Sequence, residues 1–271
     1  MTQGYTVDPL APAKPESEWR DLASFLLKLA IVVFIIRSFI FSPFSIPSES
    51  MLPRLLIGDY LFITKWNYGY SKHSLPFSLP LIPGRVFAGT PERGDVVVFK
   101  APGHNGEDWI KRVIGLPGDT VQMRNGQIIL NGQPVPQDPN GTFEETFERQ
   151  GPLGQYPQCE NRPVGEGGVC TLSRATETLP NGVSHDVLNI VDNGPADNTP
   201  ELIVPEGHYF FMGDHRDNSL DSRFSQGANG VGMVPAEFLV GRADRIMFSS
   251  AGRSLFFFWT WRADRFFKAV E

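Results

Sequence analysis

Two residues of this chain, a serine and a lysine, could together carry out nucleophilic catalysis. Ser50 lies in a short segment flanked by Pro47 and Pro53, and Lys111 lies in an apolar run that ends in a Gly-Leu-Pro-Gly-Asp turn. A hydroxyl nucleophile needs a nearby base, and a desolvated neutral lysine can take the place of histidine. The pair therefore predicts acyl-transfer chemistry.

The surroundings of each residue indicate how the chemistry could work. In extended chain, Ser48 and Ser50 face the same side, so the Ser48 hydroxyl could stabilise an oxyanion together with the Ser50 backbone N–H. On a strand, Lys111 shares its face with Trp109 and Val113, an apolar setting that would lower its pKa below about 10.4. Taken singly, each feature also fits a structural role: a loop rich in Ser and Pro, and an edge-strand lysine that points into water.

A third polar segment, residues 213–223, offers two other kinds of catalytic group. Asp217 and Asp221 could form an aspartic dyad, but one segment that supplies both carboxylates fits that mechanism poorly. His215 follows Asp214 and could act as a triad base. The lysine motif makes such a base superfluous, and we expect His215 to lie on the surface.

Four motifs occur in a fixed order behind an apolar N-terminal stretch. They are Pro-Ser-x-Ser-Met-x-Pro from Pro47, Arg-Gly-Asp-Val-Val-Val-Phe from Arg93, Lys-Arg-x-x-Gly-x-Pro-Gly-Asp from Lys111, and Gly-Asp-x-Arg-Asp-Asn-Ser-x-Asp-Ser-Arg from Gly213. Together they resemble the type I signal peptidases, which are membrane-bound serine endopeptidases with a Ser–Lys dyad. The resemblance covers residues 20–135 and 200–248 well.

The resemblance implies a role for each matching residue. Ser50 corresponds to the nucleophile, Lys111 to the general base and Ser48 to the oxyanion-hole hydroxyl. Three further residues correspond to groups that orient the lysine or brace the site: Ser219, Asp221 and Arg223. Another set falls where family members line pockets for small side chains: Phe44, Ile46, Leu55, Trp109 and Ile110.

Substrates and partners follow from the same resemblance. It implies cleavage of N-terminal signal peptides from exported preproteins after small residues, in an Ala-x-Ala pattern, at a membrane lipid surface. It implies no metal and no organic cofactor. Two positions depart from the usual pattern, Arg54 where Thr is common and His215 where Asn is common, and they leave substrate preference open.

Residues 22–42 are long and apolar enough to predict a transmembrane anchor. Lys28 and Arg37 lie towards its two ends, where long side chains reach the headgroups. A cleaved signal peptide is the competing interpretation, but no cleavage site with small residues follows. The numbers of Lys and Arg on the two sides of this segment are too similar for the positive-inside rule to give its orientation in the membrane. From the resemblance we expect a single-pass protein of the bacterial inner membrane, with its catalytic domain on the periplasmic face.

Composition limits the remaining function classes. The chain has 271 residues and a formal net charge of −6, which disfavours binding to nucleic acid. Its 23 Pro and 27 Gly favour short strands joined by turns. The predicted fold class is mainly β: an antiparallel signal-peptidase-like catalytic domain, one N-terminal transmembrane helix and an insertion rich in strands and loops.

The predicted organisation has six parts. In chain order they are a cytoplasmic tail (1–21), the anchor (22–42), a first part of the catalytic core (43–135), an insertion or small second lobe (136–200), a second part of the core (201–250) and an aromatic, basic tail (251–271). The tail either lies at the membrane interface or packs on the core. Oligomeric state is left open.

The insertion contains both cysteines of the chain, Cys159 and Cys170. A disulfide and two free thiols are both compatible with the sequence, and a periplasmic location would favour the disulfide. An alternative function for the whole chain is a membrane-tethered, non-catalytic β module that binds exported peptides. A self-cleaving Ser–Lys repressor fits less well, because such a protein has a DNA-binding domain and no anchor.

Overall fold

The chain begins with one long apolar helix. The computed structural model describes residues 15–151, 153–252 and 257–270. An α-helix, α1, spans Pro15–Ile35 and continues as a π-helical turn, Ile36–Ile40. The 23 residues Glu18–Ile40 are long and apolar enough to cross a membrane, and their side chains are largely exposed. Helical structure ends two residues before the predicted limit of 42, because Phe41 starts a strand.

Strands and short helices make up the rest of the described chain. The strands are β1 Phe41–Ser45, β2 Asp59–Thr64, β3 Tyr70–Ser71, β4 Arg85–Val86, β5 Val96–Lys100, β6 Asp108–Gly115, β7 Thr120–Arg124, β8 Gln127–Leu130, β9 Gln133–Pro134, β10 Gln137–Thr146, β11 Val169–Thr178, β12 Ser184–Asn189, β13 Leu202–Ile203, β14 His208–Met212, β15 Val234–Pro235 and β16 Leu239–Ser249. Short 3₁₀ turns occupy Lys72–Ser74, Pro76–Ser78, Arg216–Asn218, Gln226–Ala228, Ala236–Phe238, Phe258–Thr260 and Ala263–Arg265. The mainly β fold class is thus confirmed.

One antiparallel sheet of seven strands carries the fold, in the order β1-β2-β16-β5-β6-β14-β15. A second sheet, β13-β7-β8-β9, packs beside it and contains the predicted hairpin with its Asn-Gly turn between β7 and β8. The predicted strands around residues 59–63, 96–99, 109–114 and 240–248 are all present as β2, β5, β6 and β16.

The apolar core forms on both faces of β6, because alternate residues of a strand point to opposite sides. Ile110 packs with Ile46, Leu55 and other side chains on one face. Val113 packs with Val97, Phe99 and Phe211 on the other. The strand that carries Lys111 is therefore held rigidly from both sides.

The insertion is more regular than its sequence indicates. Its strands β10, β11 and β12 form a three-stranded antiparallel sheet. Most side chains of β10 are at least partly exposed, so its sequence shows no apolar alternation. Its stability comes from pairing with β11, a contact between segments that are distant in sequence.

The C-terminal segment both packs on the core and exposes aromatic rings. Val270 is buried, and Arg265 forms a buried ion pair with Asp59. Phe258 and Trp259 are exposed. Residues 253–256, part of the predicted aromatic tail, lie outside the described residues, as do residues 1–14 of the predicted N-terminal tail.

Candidate active site

Ser50 lies in a tight turn and not in extended chain, so the predicted conformation of this segment was wrong. Backbone hydrogen bonds run from Leu52 N–H to Glu49 O at 2.9 Å and from Leu55 N–H to Met51 O at 2.9 Å. The turn forms because the consecutive residues Met51 and Leu52 are buried in two different apolar clusters. The His215 N–H donates to Ser50 O at 3.1 Å, which braces the turn from the Gly213–Arg223 segment.

Lys111 reaches this turn from the middle of β6. Its Nζ lies 2.8 Å from Ser50 Oγ and 3.1 Å from Ile110 O. The ammonium position is 5.4 Å from the centroid of the Trp109 ring, which lies on the same face as predicted. Lys111 and Ser50 are 61 positions apart in sequence, and the fold brings them into hydrogen-bond contact.

Burial gives Lys111 the property that a general base needs. Its side chain is buried, and burial lowers its pKa to about 8 although Asp221 and Asp214 oppose the effect. Lys65 is a second buried lysine, and burial lowers its pKa to about 8 as well. The Nζ of Lys65 donates to the backbone carbonyl of Ser74, so only Lys111 of these two is paired with a serine hydroxyl.

Ser48 lies beside Ser50. The Oγ atoms of Ser48 and Ser50 are 3.5 Å apart, at the limit of a hydrogen bond. The Ser48 side chain is exposed, whereas Ser50 is buried. A carbonyl attacked by Ser50 would therefore place its oxygen within reach of the Ser48 hydroxyl and of the Ser50 backbone N–H.

The Gly213–Arg223 segment forms a rigid base beneath the dyad. Arg223 binds Asp221 through two hydrogen bonds of 2.8 and 2.9 Å, and both side chains are fully buried. Burial alone would raise the pKa of Asp221, but the Arg223 guanidinium and the Gly213 N–H lower it overall. A second buried pair joins Arg112 of β6 to Asp214 at 2.8 and 2.6 Å. This second pair links β6 to the Gly213–Arg223 segment through charge-assisted hydrogen bonds.

Ser219 lines the same cavity as Ser50 and Lys111, and its hydroxyl acts on the Asp221 carboxylate, whose pKa it helps to lower. The hydrogen bond to Lys111 that the resemblance implies is not formed in this structure, and the orienting role remains a prediction. Gly213 makes this close packing possible. A Cβ atom at Gly213 would lie 2.3 Å from Ser219 Oγ and 2.5 Å from Ser50 O.

His215 is not on the surface, and that prediction was wrong. Its side chain is fully buried, and the backbone of Glu49 lies close enough to its ring to act on it. Burial lowers its pKa to about 4, so the ring is neutral at physiological pH. The residue contributes its backbone N–H to Ser50, and that role could not be inferred from the side-chain type.

A cavity of about 570 Å³ opens in front of the dyad. Three of the five predicted pocket residues line it, namely Phe44, Trp109 and Ile110. Ile46 and Leu55 do not line it but are buried in the core cluster behind Ile110. Sequence reasoning missed further lining residues: Pro47, Glu107, Asp108, Asp217, Asn218, Leu220 and Phe224.

Arg54 points away from this cavity. Its Nε donates to Val270 O at 2.6 Å, and it lines a separate cavity of about 520 Å³. Arg112 and Arg265 also line this second cavity, and each is paired with a carboxylate, Asp214 and Asp59 respectively. Among the described residues, no three His, Cys, Asp or Glu side chains come together as a metal site requires.

The insertion approaches the Ser50 turn through a disulfide-closed loop. Cys159 and Cys170 are bonded, with their Cα atoms 5.2 Å apart. The disulfide packs with Leu52 in an apolar cluster that also includes Leu172 and Leu188. The alternative of two free thiols does not apply to this structure.

Comparison with known proteins identifies sequences similar to this chain. The family described as "Signal peptidase, peptidase S26" matches residues 19–248. A signal peptidase I of Rickettsia typhi is 39% identical over 239 residues, which covers 85% of this chain and 80% of that protein. A signal peptidase I of Rickettsia conorii is 37% identical over 243 residues, covering 87% of this chain and 80% of that protein.

A solved structure adds little to these sequence matches. The signal peptidase I of Enterococcus faecalis is 25% identical, and the match covers 56% of this chain and 96% of that one. Its TM-score is 0.29, too low to support an argument about geometry.

Proposed function

Because this chain belongs to the signal peptidase family, peptidase S26, and is a serine endopeptidase, we propose that it removes signal peptides from exported preproteins with a Ser50–Lys111 dyad. One observation carries the proposal. Lys111 Nζ and Ser50 Oγ are 2.8 Å apart in a buried site, the separation at which a proton can pass between them.

The first half of the reaction forms an acyl-enzyme. The hydroxyl of Ser50 gives its proton to neutral Lys111 Nζ as Oγ attacks the carbonyl carbon of the scissile bond. The Ser50 N–H and the Ser48 hydroxyl donate to the resulting oxyanion. When the intermediate collapses, the C–N bond breaks and the Lys111 ammonium protonates the leaving amine of the mature chain.

The second half releases the signal peptide. A water molecule gives a proton to Lys111, which is again neutral, and attacks the ester carbonyl. The ester C–O bond then breaks, and Ser50 Oγ recovers the proton from Lys111. One amide bond and one water molecule are consumed, and the enzyme returns to its starting state. No step needs a metal or a cofactor.

The apolar cavity supports a preference for small side chains next to the cleaved bond. Phe44, Trp109 and Ile110 bring bulky rings and a branched chain close to Ser50. Ile46 and Leu55 pack with Ile110 in the same buried cluster, so Ile110 cannot move back to enlarge the cavity. Small residues such as Ala at positions −1 and −3 of a preprotein fit such a space.

The apolar helix Glu18–Ile40 supports a membrane anchor. That the membrane is the bacterial inner membrane and the catalytic domain lies on its periplasmic face is part of the proposal. At 1.5 Å per residue the helix measures roughly 35 Å, enough for a hydrocarbon core of about 30 Å. The exposed rings Phe258 and Trp259 are suited to the interface. An anchored protein should resist carbonate extraction, and its periplasmic catalytic domain should be digested by protease added to intact spheroplasts. Protection of the catalytic domain from that protease would contradict this topology.

Cleavage of a preprotein with an Ala-x-Ala site, followed by N-terminal sequencing of the product, tests the function. We expect the wild type to cleave after the second Ala, and Ser50→Ala and Lys111→Ala to be inactive with unchanged far-UV circular dichroism. Ser173→Ala, on an exposed position of β11, serves as the matched serine control and should cleave normally. A folded but inactive wild type would instead favour a peptide-binding module.

A further inference from the structure

Glu49, the residue between Ser48 and Ser50, is buried despite its charge. It precedes the nucleophile directly, and its backbone carbonyl accepts the Leu52 N–H that closes the Ser50 turn. Glu49 is not a lining residue of the cavity in front of Ser50, although its partner Asn218 is. A buried carboxyl in this position has to be held by specific partners.

Two hydrogen bonds hold the carboxyl, and they come from different parts of the chain. Asn218 Nδ2 donates to Glu49 Oε2 at 2.6 Å from the Gly213–Arg223 segment. The backbone N–H of Gln158 donates to the same oxygen at 3.3 Å from the insertion. Glu49 therefore connects the Ser50 turn to both structures that surround it.

The disulfide fixes the insertion side of this connection. Gln158 precedes Cys159, whose bond to Cys170 ties the loop to β11. The bonded cysteines pack against Leu52, two residues after the nucleophile. The loop thus contacts the Ser50 turn by a hydrogen bond before the serine and by apolar packing after it.

Further contacts hold the insertion against the other side of the site. Asp217 Oδ2 accepts the backbone N–H groups of Ile190 and Val191 at 2.7 and 2.9 Å. Arg216 forms a buried ion pair with Glu177 of β11 at 2.8 Å. Since Arg216 and Asp217 directly precede Asn218, the residue that binds Glu49 belongs to a segment that is itself held against the insertion.

The charges around Glu49 are not balanced. Burial and the nearby Glu145 raise its pKa to about 7, while the Gln158 N–H, Asn218 and Arg162 act in the opposite direction. One oxygen of each glutamate, Oε1, is buried without a hydrogen-bond partner among the described residues. Such an arrangement costs stability, and it is expected where a group has a role in the site.

From these contacts we infer that Glu49 is a positioning residue. By accepting hydrogen bonds from Asn218 and from the Gln158 backbone, it fastens the Ser50 turn to the disulfide-closed insertion and keeps Ser50 Oγ at Lys111. The inference rests on the proposed function, and it makes residues 136–200 a part of the catalytic apparatus.

Steady-state cleavage by Glu49→Ala and Glu49→Gln tests this role. Without the carboxyl the turn loses its hydrogen bonds to Asn218 and Gln158, and we expect kcat to fall about tenfold, since small misplacements of a nucleophile are costly. KM should stay within about twofold, because Glu49 does not line the substrate cavity. Glu49→Gln keeps an acceptor oxygen and sets an amide N–H near Glu145, so it should restore most of kcat.

Two controls separate positioning from a general loss of stability. Glu166→Ala changes an exposed glutamate in the same disulfide-closed loop and should leave kcat and the melting temperature unchanged. If Glu49→Ala does not fold, Glu49→Asp replaces it. The shortened carboxyl withdraws from Asn218, and kcat should fall while circular dichroism stays native.

A double-mutant cycle tests the connection to the disulfide. Replacing both cysteines, Cys159→Ser with Cys170→Ser, should lower kcat in the wild type and lower it less in Glu49→Ala, because the same connection has already been removed. Fully additive effects would contradict the connection between loop and turn.

The outcomes distinguish this inference from the proposed function. An inactive wild type overturns both. An active wild type with Glu49→Ala or Glu49→Asp folded and within about twofold of its kcat overturns the positioning role alone. A Glu49→Gln variant as slow as Glu49→Ala would likewise overturn the positioning role and leave the proposed function intact.

Discussion

Lys111 and Arg112 are consecutive residues of β6, yet their charged groups lie on opposite faces of the sheet. Lys111 contacts Ser50 in the substrate cavity, and Arg112 binds Asp214 and Gly94 O beside the second cavity. The alternation of side chains along a strand produces this separation. Among the residues that the structure describes, no carboxylate forms an ion pair with Lys111, whereas Arg112 is paired with Asp214.

The lack of a carboxylate partner should make Lys111 costly for stability. Burial lowers its pKa from 10.5 to about 8, which corresponds to about 3 kcal/mol at neutral pH. We expect Lys111→Met to be inactive but to melt at a higher temperature than the wild type at pH 7. The unfolded chain binds the extra proton between pH 8 and 10.5, so the advantage of the variant should shrink as the pH rises through that window.

Thermal unfolding monitored by circular dichroism at pH 7 and pH 10 measures both effects. Lys65→Met is the matched control, since it removes a buried lysine that does not contact Ser50. It should keep cleavage activity. A Lys111→Met protein that is less stable than the wild type at pH 7 would show that the ammonium is better solvated than its burial indicates.

Cleavage should depend on pH through Lys111. Only the neutral amine accepts the Ser50 proton, so kcat/KM should rise nearly tenfold per pH unit below about 8 and level off above it. His215 is already neutral there because burial lowers its pKa to about 4. His215→Asn should therefore leave the midpoint of the profile unchanged. A midpoint between pH 6 and 7 that shifts in His215→Asn would assign the base to His215.

Gly213→Ala should disturb the site without touching substrate. The added Cβ would lie 2.5 Å from Ser50 O and 2.3 Å from Ser219 Oγ, so the Ser50 turn must move away from Lys111. We expect kcat to fall at least tenfold, an effect of the size that about 1 Å of misplacement can cause. Gly165→Ala, where a Cβ would meet no atom within 4 Å, is the matched control and should behave as the wild type.

The buried pair beneath the dyad should be important for folding. Arg223→Met leaves the Asp221 carboxylate buried without its main partner, which costs about 3–5 kcal/mol in comparable pairs. Arg174→Met removes one member of a half-exposed pair at 3.9 Å and should cost less than about 1 kcal/mol. Urea denaturation of both variants measures the difference. Equal losses would mean that Asp221 finds another partner or becomes protonated.

Much of the fold could be predicted because many strands carry their own pattern. The strands β2, β5, β6 and β16 are apolar runs bounded by turn residues, so they are recognisable locally. The strand β10 could not be predicted, because nearly all its side chains are at least partly exposed and its stability depends on pairing with β11. In the four apolar strands the residues that are buried in the fold also form the local pattern. In β10 the stabilising contacts leave no such pattern in the sequence.

The candidate catalytic groups and their order along the chain could be inferred from the amino-acid sequence alone. Motif order was enough to identify Ser50 and Lys111 as the candidate nucleophile and base. The three-dimensional fold was needed to establish that Ser50 and Lys111 are in contact, that His215 is buried, and that Glu49 joins the turn to the insertion. Burial, and the pKa changes that follow from it, depend on which distant segments pack together, and no single segment of the chain encodes that packing.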